Sequence, residues 1–382
     1  VALGTFGAIT PAILAVFTIA SGAIILIPTF LWSVGLIGNI DTLMYKTVWW
    51  AMGHSSQQIN VAAHVSLWYL IAAVVLGAKP LSEKVSRMAF LMYILFLQLA
   101  SAHHLLVDLG ISSSWKIFNT SYAMYLAVLG SMIHGMSVPG AIEAAQRARG
   151  FTDGLVGWLR KAPWGNPAFS GMFMSLVMFG FLGGITGVVL GTEQINLIMH
   201  NTLYVPGHFH ATVVAGTTLP FMAATYLLVP LIFQRELIFK RLARLQPYIF
   251  AIGVMGISVF MMGAGTLGVP RRHWDISGAD SIIKFDFADA AYLMMGLNGM
   301  FAVLATLGGI MFVVVVLGSL LFGKKTGDEQ LKGLTMGTAT EYGSMEHPKI
   351  PGTLVLVGVF FVTFILYYFV NWKYLAEVWP LR

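Results

Sequence analysis

Residues 53–69 read GHSSQQINVAAHVSLWY, and the runs on either side, LIPTFLWSVGLIGNI (26–40) and LIAAVVLGAK (70–79), are lipid-like. Between those runs lie two His, three Ser, two Gln and one Asn. Polar side chains inside a span are costly unless they face the bundle interior and find partners there. The stretch therefore reads either as a membrane helix with a working inner face or as no span at all.

The rest of the chain decides for the span. Of 382 residues 57% are apolar and 10% charged, against about 25% charged in ordinary soluble domains. A helix needs ~20 mostly apolar residues to cross a bilayer, and about nine such segments occur, centred near 22, 60, 97, 130, 179, 217, 256, 305 and 362. None alternates with period two, so helices fit and a barrel does not. The expectation is an all-α integral membrane protein with 1–382 as a single transmembrane helical domain. There is no cysteine, which excludes disulfides, thiolate catalysis and thiolate-held clusters. The net charge of +6 calls for no nucleic acid, because the basic residues fall in loops.

Those loops set orientation. Lys79, Lys84 and Arg87, then Arg147, Arg149, Arg160 and Lys161, then Arg235, Lys240, Arg241 and Arg244, then Lys324, Lys325, Lys332 and Lys349 occupy every second loop. By the positive-inside rule these loops face the cytoplasm, as does Val1. The polar run at 323–349 reads as a cytoplasmic loop. No signal peptide, internal repeat or low-complexity segment is expected, and Val1 lies so close to an apolar run that the chain reads as part of a longer protein.

With this orientation His54, His103, His104, His208 and His210 all fall in the outer part of the membrane, although they sit on three segments. His64 and His134 read more simply as hydrogen-bonded core residues. Neutral imidazole suits copper, zinc, iron and haem iron. His54, His103 and His104 look like a three-His metal site with an open position. His208 and His210 diverge by about 200° around a helix, so they suit two large flat cofactors on opposite sides of it.

The motifs WWAMGH (49–54), the pair His103–His104 and HNTLYVPGHFH (200–210) resemble subunit I of the haem–copper oxygen and nitric oxide reductases. VPRRHW (269–274) and GWLRKAPWGNPAF (157–169) look most like its B-type branch. The resemblance implies the C-terminal part of a 13-helix subunit, lacking the first four helices. It implies copper, or iron, on His54, His103 and His104. His208 would hold the high-spin haem and His210 the low-spin haem, with Arg271 and Arg272 on the haem propionates and His200 beside them. The second low-spin ligand would come from upstream of Val1 or from another chain. A multi-pass place in the inner (cytoplasmic) membrane is implied. So are a small cupredoxin-like or cytochrome subunit, other membrane subunits, and cytochrome c, a cupredoxin or a quinol as electron donor.

Two departures bear on function. The B-type branch has a tyrosine one turn after the first metal-binding His, linked to it, which supplies an electron and a proton for splitting O2. Here that place holds Gln58, and Leu97 stands where the C-type branch has its tyrosine. NO reduction to N2O takes only two electrons and needs no such group, so NO is favoured over O2. Gln57 and Gln58 are expected to hydrogen-bond a bound ligand or water, with Gln58 the candidate catalytic residue. In TEQINLIMHNT (192–202) the family's acid is Asn196, which argues against outward proton pumping. Tyr69, Ser66 and Ser101 are candidates for an inward proton path. Two other classes compete: a transporter relaying protons through its His, which would need inverted repeats, and an electron carrier with two haems, which leaves His54, His103 and His104 unused.

Overall fold

The computed structural model describes residues 2–272, 286–327 and 348–378. His273 and Trp274 of the VPRRHW motif and Lys332 of the 323–350 loop lie outside these residues. The described residues are helical with no strand; two isolated bridges, Thr202 with Pro270 and Arg235 with Lys325, tie loops together.

Among the described residues eight helices are long and apolar enough to cross a membrane. They are α1 (Ala2–Ser33), α2 (Thr42–Leu76), α4 (Ser113–Ala148), α5 (Pro167–Leu190), α7 (Tyr204–Ile232), α8 (Lys240–Thr266), α9 (Asp289–Phe322) and α10, which runs Pro351–Val378. The segment centred near 97 is shorter than hydropathy implies. Its helix α3 (Glu83–Met92) passes into a π turn, Tyr93–Leu97, and His103 and His104 stand beyond it in a 3-10 turn, Ala102–His104. A short helix α6 (Glu193–Met199) precedes α7.

Local chemistry sets the helix ends. Asp41 caps α2 by accepting from Leu43 and Met44 N–H, and Gly77 ends it in the left-handed region at φ 61°. Asn166 caps α5 with Pro167 at the first helical position. Pro206 lies in the first turn of α7, where its missing N–H costs nothing. Further along, α7 carries a long π run, His210–Thr218, and α5 carries another, Phe179–Gly184.

The polar residues of the opening stretch have partners. Ser55 accepts from Thr18 on α1 and from Gln98 after α3, at 2.8 and 2.7 Å. His64 Nδ1 lies 3.0 Å from Thr217 Oγ1 on α7. Deeper in, Trp68 donates to Ser175, whose hydroxyl donates to Gly216 O. These bonds fix the rotation of α2 within the bundle, and with it the direction of its site residues.

The helix α10 begins against a fully buried carboxylate. Glu143 accepts from the N–H groups of Gly352 and Thr353 at 3.0 and 2.6 Å and pairs with Arg147 at 2.7 Å. It caps a helix from a different one. Gly352 is required there, because a Cβ would collide with Leu155 O and Trp158 Nε1. Replacing Glu143 with Ala uncaps α10 and leaves Arg147 only the carbonyls of Thr152 and Gly154, so a loss of about 2 kcal/mol is expected. Circular dichroism of the detergent-solubilised protein should show the thermal midpoint fall by several degrees; an unchanged midpoint would contradict this role.

Candidate metal and haem site

One cavity of about 170 Å³ collects residues from α2, the 102–104 turn, α4, α5 and α7. His54, His103, His104 and His208 all line it; His210 does not. His54, His103 and His104 each offer a ring nitrogen, and those nitrogens lie within 4.8 Å of one another. His54 Nδ1 stands 3.2 Å from His104 Nε2. Metal–nitrogen bonds of about 2.0 Å place two ligand nitrogens at about that separation, so the donor set fits a transition metal ion.

The three rings are held from behind. Trp50, one turn before His54 on α2, lies flat on His104, centroids 3.9 Å apart and planes 3° apart. The stacked indole sets the plane of His104 without competing for its nitrogens. The His54 and His103 rings meet edge to face at 4.5 Å. Gln58, one turn after His54, places its amide nitrogen 2.9 Å from His54 Nε2. The side chain expected to meet a bound ligand therefore touches His54 itself, while still lining the cavity with Gln57.

His208 enters the cavity from α7. Its Nδ1 lies 2.8 Å from Thr186 Oγ1 on α5, and that hydroxyl is also within reach of the carbonyls of Leu182 and Gly183. Thr has one proton to give. Given to a carbonyl, it leaves the oxygen to accept from His208 Nδ1–H, and Nε2 keeps its lone pair for an iron ion. Gly187 borders the ring, and a Cβ there would come within 3.1 Å of His208 Cε1. With Gly183 and Gly184 it makes a side-chain-free wall suited to a flat macrocycle. His210 donates Nδ1–H to Pro206 O at 2.7 Å, which likewise leaves Nε2 as an acceptor, outside this cavity.

At the outer rim the loop after α8 folds onto the turn before α7. Arg271 N–H donates to Asn201 O at 2.9 Å, and its guanidinium donates to Asn201 Oδ1 at 3.2 and 2.8 Å. Arg271 and His200 line the cavity; Arg272 is exposed and does not. Partial burial, then the Arg272 cation, holds Arg271 below the usual guanidinium value. Partial burial, then the Arg271 cation, holds His200 below the usual imidazole value. Such a rim favours an anionic neighbour. Asn196 donates to Leu190 O at 2.7 Å and leaves its buried Oδ1 unpaired at the cavity wall.

The three hydroxyls singled out for a proton path divide. Ser66 donates to Ala62 O, a backbone bond within its own helix. Tyr69 donates to Ser86 at 3.1 Å and lies 3.0 Å from His134 Nδ1, inside a buried cluster with Ser137. Ser101 is not among the cavity's lining residues; that inner wall carries Asn60, Ser131 and Thr217 instead. Sequence reasoning passed over Trp50, Thr186 and Gly187. Only Trp50 had a signal, its spacing of one turn from His54.

A family model described as cytochrome c and quinol oxidase polypeptide I matches residues 1–311. The chain belongs to that family. Cytochrome c oxidase subunit 1 of Thermus thermophilus is 33% identical over 246 residues, covering 64% of this chain and 43% of its own length. Cytochrome c oxidase polypeptide 1 of Halobacterium salinarum is 26% identical over 241 residues, 61% of this chain and 36% of its own. A cryo-EM structure of a haem–copper terminal oxidase dimer superposes with a TM-score of 0.80 at 26% identity, over 97% of this chain and 64% of that one. The chain thus spans less than half the length of these two curated relatives.

Proposed function

We propose that this haem–copper oxidase family member is the catalytic subunit of a respiratory haem–metal reductase of the inner (cytoplasmic) membrane, and that it reduces NO to N2O. The observation that carries the reading is the three-His cluster and His208 on the walls of one cavity. His54, His103 and His104 would hold copper or iron; His208 would hold the high-spin haem and His210 the low-spin one, with Arg271, Arg272 and His200 toward the propionates. Bound there, the haem and the metal would bind substrate and supply its electrons.

The choice of NO rests on what lines the cavity. Two NO molecules take two electrons and two protons to give N2O and water. Cleaving O2 takes four electrons at once, and the described lining residues include no tyrosine to furnish one. Position 58 holds an amide on His54, which donates or accepts a hydrogen bond but gives no electron. Asn60, Ser131 and Thr217 give the inner wall hydroxyl and amide groups along which water can bring protons.

A second reading is O2 reduction to water by a terminal oxidase. The relatives' names favour it, and Trp50, stacked on His104, is an oxidisable ring beside the three-His cluster. The VPRRHW and GWLRKAPWGNPAF motifs support the B-type branch. The partners proposed are a small cupredoxin-like or cytochrome subunit, other membrane subunits, and cytochrome c, a cupredoxin or a quinol as donor. Gas turnover by the purified complex separates the two substrates: N2O is expected from NO, with O2 consumed slowly. Rapid O2 reduction with little N2O would reverse the substrate and leave the family unchanged.

A further inference from the structure

We propose that Gln58 is a positioning residue that fixes the tautomer of His54, its amide oxygen accepting from Nε2–H so that Nδ1 is presented to the metal; this rests on the three-His site of the proposed function. The geometry starts from which nitrogen faces which neighbour. Nδ1 of His54 points at His104 Nε2, 3.2 Å away, inside the cluster. Nε2 points the other way and meets the Gln58 amide at 2.9 Å. A neutral imidazole has one N–H and one lone pair. If Nδ1 gives its lone pair to a metal, the proton must sit on Nε2, and a buried N–H needs an acceptor.

The amide satisfies that need by a half-turn about its terminal bond. The half-turn exchanges NH2 and oxygen at nearly the same positions. With Nε2 of Gln58 toward His54, the imidazole proton is on Nδ1 and the ring cannot ligate. With Oε1 toward His54, Nδ1 is free and the ring ligates. The two amide orientations thus match the metal-free and metal-bound tautomers of one ring. In the second orientation the NH2 group turns toward the cavity that Gln58 lines, where it is a donor for a bound ligand. His54 and Gln58 share one helix face four residues apart, so the pair needs no other element to hold it.

Gln58→Met and Gln58→Glu separate this from packing. Methionine keeps the length and most of the volume but accepts no hydrogen bond of comparable strength; glutamate keeps the acceptor oxygen. The purified complex is titrated with a chelator and its non-haem metal measured by elemental analysis, with the haem spectra recorded alongside as a check of assembly. Gln58→Met should lose 10–100-fold in metal affinity, the range typical of partners that orient a ligating His, and Gln58→Glu should restore most of it. Parental metal retention in Gln58→Met, or an equal loss in Gln58→Glu, would overturn the assignment. Should Gln58→Met not assemble, Gln58→Asn, whose shorter amide falls short of Nε2, takes its place with the same expectation. Metal retention is read without turnover, so failure to make N2O counts against the proposed substrate and not against this pair.

Discussion

Replacing His104 with Leu should empty the three-His site and abolish turnover while the low-spin haem spectrum stays intact. Leu keeps apolar contact with Trp50, whose ring lies flat on His104 at 3.9 Å, so the turn at Ala102–His104 retains its packing. What it loses is Nε2, the nitrogen 3.2 Å from His54 Nδ1. Two imidazoles hold a first-row metal far more weakly than three. The same outcome is expected of His103, whose ring meets that of His54 edge to face. Metal analysis beside visible spectra checks it. Loss of the low-spin signal with the metal retained would refute the assignment.

Replacing His208 with Ala should remove the haem that binds external ligands and leave the low-spin haem in place, with activity falling below detection. His208 lines the cavity and is oriented by Thr186, whereas His210 is anchored separately to Pro206 O and lies outside it. CO difference spectra of the reduced protein are the measurement. A variant that binds CO with the parental spectrum would show that His208 does not ligate that haem.

The membrane helices were legible because a bilayer demands long apolar runs, and eight of the expected segments are such helices. The segment near 97 shows where hydropathy stops informing. The helix ends after Leu99, short of His103 and His104, and an average over side-chain character does not register a helix end there. His103 and His104 stood out in the sequence through their cost in hydrocarbon; His104 finds His54 Nδ1 and the Trp50 ring, while His103 Nδ1 stays buried without a hydrogen-bond partner. The partners of the helix histidines were illegible for a different reason. Thr186 lies 22 residues from His208, on a helix of its own, and a hydroxyl in a membrane helix is as often bonded to its own backbone. Gln58 was conspicuous as an amide in a span, and its spacing puts it on the helix face of His54, yet only the side-chain conformation shows the amide turned back onto that ring.

The π run from His210 to Thr218 divides α7 into two lengths with independent phase. A π turn takes in one residue more than an α turn, and one residue is about 100° around a helix. The half before the run aims His208 at the cavity, while the half after it seats Ala223 and Ala224 in the core and lets Tyr226 donate to Gln246 on α8. A substitution within the run leaves both halves aimed as they are. A deletion within 210–218 would turn one half against the other by about 100° per residue removed.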